Sequence, residues 1–116
     1  CIFEAGTEQE RVFAEAGREA ASTFLEGYNA TIFAYGSTGS GKTYTMFGND
    51  DGLVPSVVRE IFRRVEVGAK LSCSMIEIYR ENLIDLLSVG GPELKIKDAG
   101  SNSCVVHNLS SHPITC

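Results

Sequence analysis

The sequence is poor in the features that mark several large classes of protein. It has no block of Lys or Arg and carries a net charge of −5, which argues against a general binder of nucleic acid or of anionic membranes. No apolar run approaches the roughly 20 residues of a membrane-spanning helix. The first residues also lack the basic-then-apolar pattern of a signal peptide. With 43% hydrophobic and 22% charged residues among 116, the composition predicts one ordinary globular domain with a modest core.

Metal-ligating and nucleophilic patterns are also scarce. The four cysteines do not form a CxxC pair, which argues against a zinc site and favours reduced thiols. They are Cys1, Cys73, Cys104 and Cys116. The two histidines, His107 and His112, lie outside any ligand spacing, so we interpret both as structural or exposed. The serine pair at 110–111 has no visible base partner, and a turn is the simpler interpretation.

The first half of the chain predicts three helices and a strand. Thr7 and Glu10 have the form of a capping box, and apolar residues such as Phe13 and Phe24 then recur at helical spacing. We therefore expect a helix over residues 8–26 with one buried face, ending at Gly27. Residues 31–35 are apolar and rich in β-formers, which predicts a buried strand. A helix is expected to begin near Lys42, stop at residues 48–52, and be followed by an amphipathic helix.

The second half predicts short strands and turns. Residues 70–79 alternate in polarity as a strand does, and residues 82–87 are expected to form a short helical turn. Residues 94–97 and 104–107 predict two strands of a hairpin. Helices followed by strands in this order indicate an α/β layer fold.

The stretch GSTGSGKT, residues 36–43, matches the phosphate-binding pattern G-x-x-x-x-G-K-[ST] at every fixed position. Glycines allow successive backbone N–H groups to face one anion. Lys42 would then reach the β- and γ-phosphates of a nucleotide, and the Thr43 hydroxyl would ligate Mg²⁺. The alternative is a Gly/Ser turn that contains a lysine by chance. The predicted strand before the loop and helix after it favour phosphate binding.

Hydrolysis would require a carboxylate near Mg²⁺ and a group that positions water. Glu77, Asp85 and Asp98 are the candidates for this role, but none follows a solid apolar run. We interpret all three as surface or capping carboxylates. The sequence therefore offers no catalytic residue.

Three blocks of the sequence resemble the kinesin motor domain. They are EGYNATIFAYGSTGSGKTYTMFG, GLVPSVVREIF and SMIEIYRENLIDLL, and their spacing also fits. The resemblance covers essentially the whole chain and implies a P-loop NTPase-type three-layer α/β/α sandwich. Residues 1–116 would form an incomplete motor domain, with a small β-hairpin lobe at about residues 93–109. Because the sequence begins with Cys1 rather than Met, we expect a piece of a longer protein.

The same resemblance implies ATP and Mg²⁺ as cofactors. Tyr44 occupies the aromatic position beside the adenine, although packing against the sheet is the alternative for its ring. Ser37 replaces the glutamine usual in the family, in a variable part of the loop, so we expect little loss of phosphate binding. The nucleotide-binding residues would be Gly36, Ser37, Thr38, Gly39, Ser40, Gly41, Lys42, Thr43 and Tyr44, with Thr43 as the metal ligand.

By resemblance, the chain would be the ATP-binding portion of a cytoplasmic, cytoskeletal motor that moves on or remodels microtubules. Tubulin would be the partner, through the complete motor domain. The family's Arg-x-Arg-Pro strand and its NxxSSR and DxxGxE switches are not found in this sequence, so we expect no hydrolysis by this chain alone. We also expect the isolated chain to be marginally stable, because the strand at residues 31–35 would have unpaired edges.

Two alternatives remain open at this point. One is a truncated kinesin-like module that binds nucleotide or a partner without turnover. The other is an unrelated P-loop enzyme such as a small-molecule kinase, which would need arginines for its substrate phosphate. Arg59, Arg63 and Arg64 are better interpreted as the solvated face of a helix, and the three kinesin-like blocks argue against a kinase.

Overall fold

The computed structural model describes residues 2–100 and 103–114. These residues divide into two compact units, the first ending at Val67 and the second beginning at Gly68. The first unit contains all the helices of the described chain, and the second contains its strands.

The first unit begins with a long helix that changes its winding in the middle. It consists of α1 (Gln9–Val12), a π-helical turn (Phe13–Gly17) and α2 (Arg18–Leu25). The predicted extent is confirmed, and the backbone turns at Gly27 with a φ of 88°. The predicted capping box is wrong, because the Thr7 hydroxyl donates to the Glu4 carbonyl at 2.7 Å instead of capping the helix.

The buried face of this helix also differs from the prediction. The buried residues are Gln9, Gly17 and Ala21, whereas the side chain of Phe24 is 46% exposed. A π-turn contains more residues than an α-turn, so it rotates the faces before and after it relative to each other. Gly17 then lies close to the last helix of the unit, and a β-carbon there would lie 3.1 Å from Val57 Cγ2. Close packing at Gly17, against Phe13 and Val57, has replaced the expected burial of Phe24.

Residues 31–35 do not form the predicted buried strand. No strand in the described part of the chain pairs with them, and Phe33 and Tyr35 are 81% and 93% exposed. A strand depends on hydrogen bonds from a neighbouring strand, so β-forming residues alone do not produce one. The two predicted helices that follow are confirmed as α3 (Lys42–Phe47) and α4 (Leu53–Arg64).

The second unit contains three antiparallel pairs of strands. β1 pairs with β6, β2 with β3, and β4 with β5. Their bounds are β1 Leu71–Cys73, β2 Ile76–Tyr79, β3 Asn82–Asp85, β4 Lys95–Gly100, β5 Ser103–His107 and β6 His112–Ile114. The predicted hairpin of β4 and β5 is confirmed.

Two predictions in this unit are wrong. The single strand expected over residues 70–79 is two strands with different partners. The helical turn expected at residues 82–87 is instead β3, the second strand of a hairpin. Arg80 and Glu81 form its two-residue loop, with φ values of 47° and 66°. Positive φ at both loop residues is what a type I′ hairpin turn requires.

The apolar core of the described residues is small. Ala21 and Leu53 are buried in the first unit and Leu94 in the second. Many larger apolar side chains, including Tyr35 and Ile78, remain exposed. Because apolar burial is the main favourable term in folding, little of it is available to stabilise these residues alone.

Candidate functional site

The loop at residues 36–41 leads directly into α3. Gly39 and Gly41 have φ values of 82° and 91°, in the left-handed region that favours glycine. The amide of Ser40 donates to the Ser37 carbonyl at 3.2 Å, which closes the loop into a tight turn. Gly41 caps α3, and its carbonyl accepts the amide of Thr45 at 2.8 Å. The glycines of the motif therefore fix both the turn and the start of the helix.

The side chain of Lys42 folds back over this loop. Its ammonium donates to the carbonyls of Gly36 and Ser37, at 2.8 and 2.7 Å. A β-carbon at Gly36 would lie 2.5 Å from the Ser40 hydroxyl oxygen. The loop is therefore wound closely around the lysine, and only a residue without a side chain fits at its first position.

The two residues after Lys42 are exposed. Thr43 is exposed on the first turn of α3, and the side chain of Tyr44 is 59% exposed. The nine predicted site residues therefore lie together in one continuous loop and helical turn.

One residue of this region was missed by the sequence reasoning. Gln9 is only 7% exposed, and its side-chain amide donates to the backbone carbonyl of Tyr44 at 2.6 Å. It thereby joins α1 to α3. A glutamine in the first turn of a helix is usually solvated, so no pattern in the sequence indicated this contact.

A cavity of about 620 Å³ lies beside Tyr44, between α1 and α4. Both arginines that line it are engaged with a carboxylate or with nearby backbone. Arg63 contacts Glu60 at 2.9 Å, and this hydrogen bond lowers the pKa of the Glu60 carboxyl. Arg59 donates to the Asp50 carbonyl at 2.5 Å. These contacts support the interpretation of the arginines as a helix face rather than as a binding site for substrate phosphate.

The three carboxylates considered for hydrolysis lie in the second unit. Asp85 accepts the amides of Ser110 and Leu87 at 2.7 and 2.9 Å. The bond from Ser110 is the main cause that lowers the pKa of Asp85. Asp98 accepts the amide of Gly100 at 2.8 Å, and Glu77 is exposed. The two aspartates therefore have the capping role expected from the sequence.

The described residues contain no group of three or more His, Cys, Asp and Glu side chains that could hold a metal ion. His112 Nε2 lies 3.2 Å from the Ser110 hydroxyl oxygen. Cys73 and Cys104 are exposed free thiols, while Cys1 and Cys116 lie outside the described residues. Over the same ranges, none of the helices combines the length and apolarity needed to cross a bilayer.

The family model and the relatives that match this chain all belong to one family, the kinesins. The family model described as the kinesin motor domain matches residues 1–116. The chain is 40% identical to the kinesin-like protein Klp98A of Drosophila melanogaster, over 92% of this chain and 9% of that protein. It is 45% identical to the kinesin-like protein KAR3 of Saccharomyces cerevisiae, over 74% of this chain and 12% of that protein.

Solved structures show the same similarity. The C-terminal motor domain of Kar3 from Candida glabrata matches with a TM-score of 0.80 and 38% identity. It covers 99% of this chain, which spans 40% of that one. The motor domain of a Kar3-like kinesin from Ashbya gossypii gives a TM-score of 0.80 at 34% identity, over 99% of this chain and 38% of that one. The expected α/β fold class is confirmed by these neighbours, of which this chain represents a part.

Proposed function

This chain belongs to the kinesin motor domain family, and we propose from this that residues 36–44 bind Mg-ATP within a kinesin-like microtubule motor. The observation that carries the proposal is the glycine loop wound around Lys42, whose ammonium lies 2.7 Å from the Ser37 carbonyl. A loop of this kind concentrates backbone N–H groups and one positive charge at a single point, which suits a phosphate chain.

The residues present fit the proposed ligand. Lys42 would exchange its loop carbonyls for the β- and γ-phosphate oxygens, and the exposed Thr43 hydroxyl would ligate Mg²⁺. Bound Mg²⁺ would supply neutralisation of the phosphate charge. The exposed ring of Tyr44 would lie beside the base, where a flat side chain provides stacking.

Turnover requires more than these residues supply. The cavity of about 270 Å³ beside Lys42 has no carboxylate among its lining residues. We therefore propose that the acid and the water-positioning group are contributed by other parts of a complete motor domain, and that this chain alone does not hydrolyse ATP. The same observation favours a second candidate, a truncated nucleotide-binding or interaction module without turnover.

In the complete motor domain, ATP hydrolysis would be coupled to movement on, or remodelling of, microtubules. Tubulin would then be the partner and the cytoplasmic cytoskeleton the location. These properties belong to whole proteins, whereas this chain spans only 9% to 15% of the first curated relatives that it matches.

The nucleotide site is tested with a fluorescent ATP analogue in the presence of Mg²⁺. Lys42→Ala is expected to abolish binding, because it removes the only side-chain charge of the loop motif. Lys70→Ala, an exposed lysine outside the loop, is the matched control and is expected to bind as the parent does. Equal binding by Lys42→Ala and the parent would refute the role of Lys42.

An ATP hydrolysis assay distinguishes the two candidate functions. It is made on the longest natural protein that carries these residues, which we call the native product. Microtubule-stimulated ATP hydrolysis by the native product supports the motor. Nucleotide binding without any hydrolysis supports the module.

A further inference from the structure

Gln9 connects two parts of the first unit that are distant in sequence. Its side-chain Nε2 donates to the Tyr44 carbonyl at 2.6 Å across 35 positions of the chain. The side chain is also buried, with 7% exposure, in contrast to the exposed Glu8 and Glu10 on either side. A buried amide needs a hydrogen-bond partner, and here the partner lies on the helix that carries the phosphate loop.

The Tyr44 carbonyl is a group that α3 itself cannot satisfy. The last four carbonyls of a helix have no partner within it, and in the six residues of α3 these begin at Tyr44. After Phe47 the chain leaves the helix at Gly48, with a φ of 56°. The Gln9 amide therefore supplies a donor where the helix has none.

A helix this short also depends on contacts to hold its place. Isolated helices below about 12 residues are marginal in water, because nucleation is costly and few bonds follow it. Lys42 and Thr43 lie within two residues of Tyr44, or about 3 Å along the helix axis at 1.5 Å per residue. A displacement of the Tyr44 carbonyl is therefore passed directly to both side chains.

We propose that Gln9 is a positioning residue of the nucleotide site. Its amide holds the Tyr44 carbonyl and so fixes the turn that presents Lys42 and Thr43 to the phosphates. Gln9 acts through the backbone of α3 and has no assigned contact with the nucleotide. The inference rests on the proposed nucleotide binding and adds a residue outside the phosphate-loop motif.

Two substitutions in the native product remove the donor in different ways. Gln9→Met keeps the length of the side chain without a donor, and Gln9→Glu places a carboxylate there at neutral pH. Each is expected to weaken binding of a fluorescent Mg-ADP analogue roughly 5- to 50-fold at pH 7.5, the range for leaving a buried acceptor unpaired. Glu10→Gln, an exposed neighbour on α1, is the matched control and is expected to bind as the parent does.

A pH profile separates positioning from packing. A protonated glutamic acid can donate to a carbonyl, and burial raises the pKa of a carboxyl. Binding by Gln9→Glu is therefore expected to recover several-fold between pH 7.5 and 5.5, relative to Gln9→Met. The charged groups lining the cavity beside Gln9 are Glu8, Glu10, Asp51, Arg59, Glu60 and Arg63. They are common to both variants, so the Met profile corrects for their titration.

The outcomes distinguish this inference from the proposed function. Parental affinity in both Gln9 variants, with binding lost in Lys42→Ala, overturns the inference alone. Weakened binding without recovery of Gln9→Glu at pH 5.5 also overturns it, since the role is then one of packing. A parent protein that does not bind Mg-nucleotide refutes the proposed function, and the inference with it.

Discussion

Gly17 allows a sharp test of the close helix packing in the first unit. It is buried, and its φ of −83° is accessible to any residue, so backbone freedom does not explain the glycine. A β-carbon at this position would lie 2.5 Å from Phe13 Cδ2 and 3.1 Å from Val57 Cγ2. We predict that Gly17→Ala destabilises the protein, although glycine to alanine usually stabilises a helix.

The expected size follows from two opposing effects. Replacing glycine with alanine inside a helix contributes about 1 kcal/mol of stability through propensity. Overpacking a closed site costs about 1–3 kcal/mol, because neighbouring side chains must leave their rotamers. The contact with Phe13 is short enough to require movement, so the net loss in the free energy of unfolding is expected to be about 1 kcal/mol.

A double-mutant cycle in the native product isolates the steric contribution. Urea unfolding followed by circular dichroism would be measured for Gly17→Ala, for Phe13→Ala and for both together. Once the ring is removed, Gly17→Ala is expected to become stabilising by up to about 1 kcal/mol, the remaining contact with Val57 setting how much of that gain is seen. If Gly17→Ala has the same stabilising effect with and without the Phe13 ring, the packing explanation is refuted.

Three further predictions concern the hairpin loop, the aspartate cap and the exposed apolar residues. Glu81→Gly is expected to raise the free energy of unfolding by about 1 kcal/mol in urea titration, because Glu81 has a φ of 66°; a loss of stability would contradict the turn assignment. Asp85 has a lowered pKa because it accepts the Ser110 amide. Its stabilisation is therefore complete above its ordinary value near 4 and lost as the pH falls through its lower folded value. Between pH 5 and 2, thermal stability is expected to fall more steeply in the parent than in Asp85→Asn, and parallel curves would contradict this. The isolated chain is expected to melt broadly and bind an apolar dye, because side chains such as Phe33 and Tyr35 are exposed; a sharp, cooperative transition would refute this.

Features set by neighbouring residues were predictable from the sequence. The extents of the helices follow from apolar spacing and from breakers such as Gly27, which act within a few residues. The tight turn before α3 was likewise recognisable, because a single motif contains both its glycines and Lys42. The hairpin of β4 and β5 is likewise a local structure.

Features that depend on distant parts of the chain were not predictable. Residues 31–35 have the composition of a strand, but pairing depends on a partner that local sequence does not specify. The π-turn that rotates the first helix, and the contact of Gly17 with Val57, follow from packing between helices. The bond from Gln9 to Tyr44 joins positions 35 residues apart. The loop at Arg80 was missed because it lacks the Asn-Gly pair that usually marks such turns.

The most direct test of the proposed function is phosphate release from Mg-ATP by the native product, with and without polymerised microtubules. The parent is expected to hydrolyse ATP faster when microtubules are present, and Lys42→Ala is expected to show no hydrolysis under either condition. Equal rates in the parent and in Lys42→Ala, or a parent rate that microtubules do not change, would contradict assignment of this chain to the nucleotide site of a working motor.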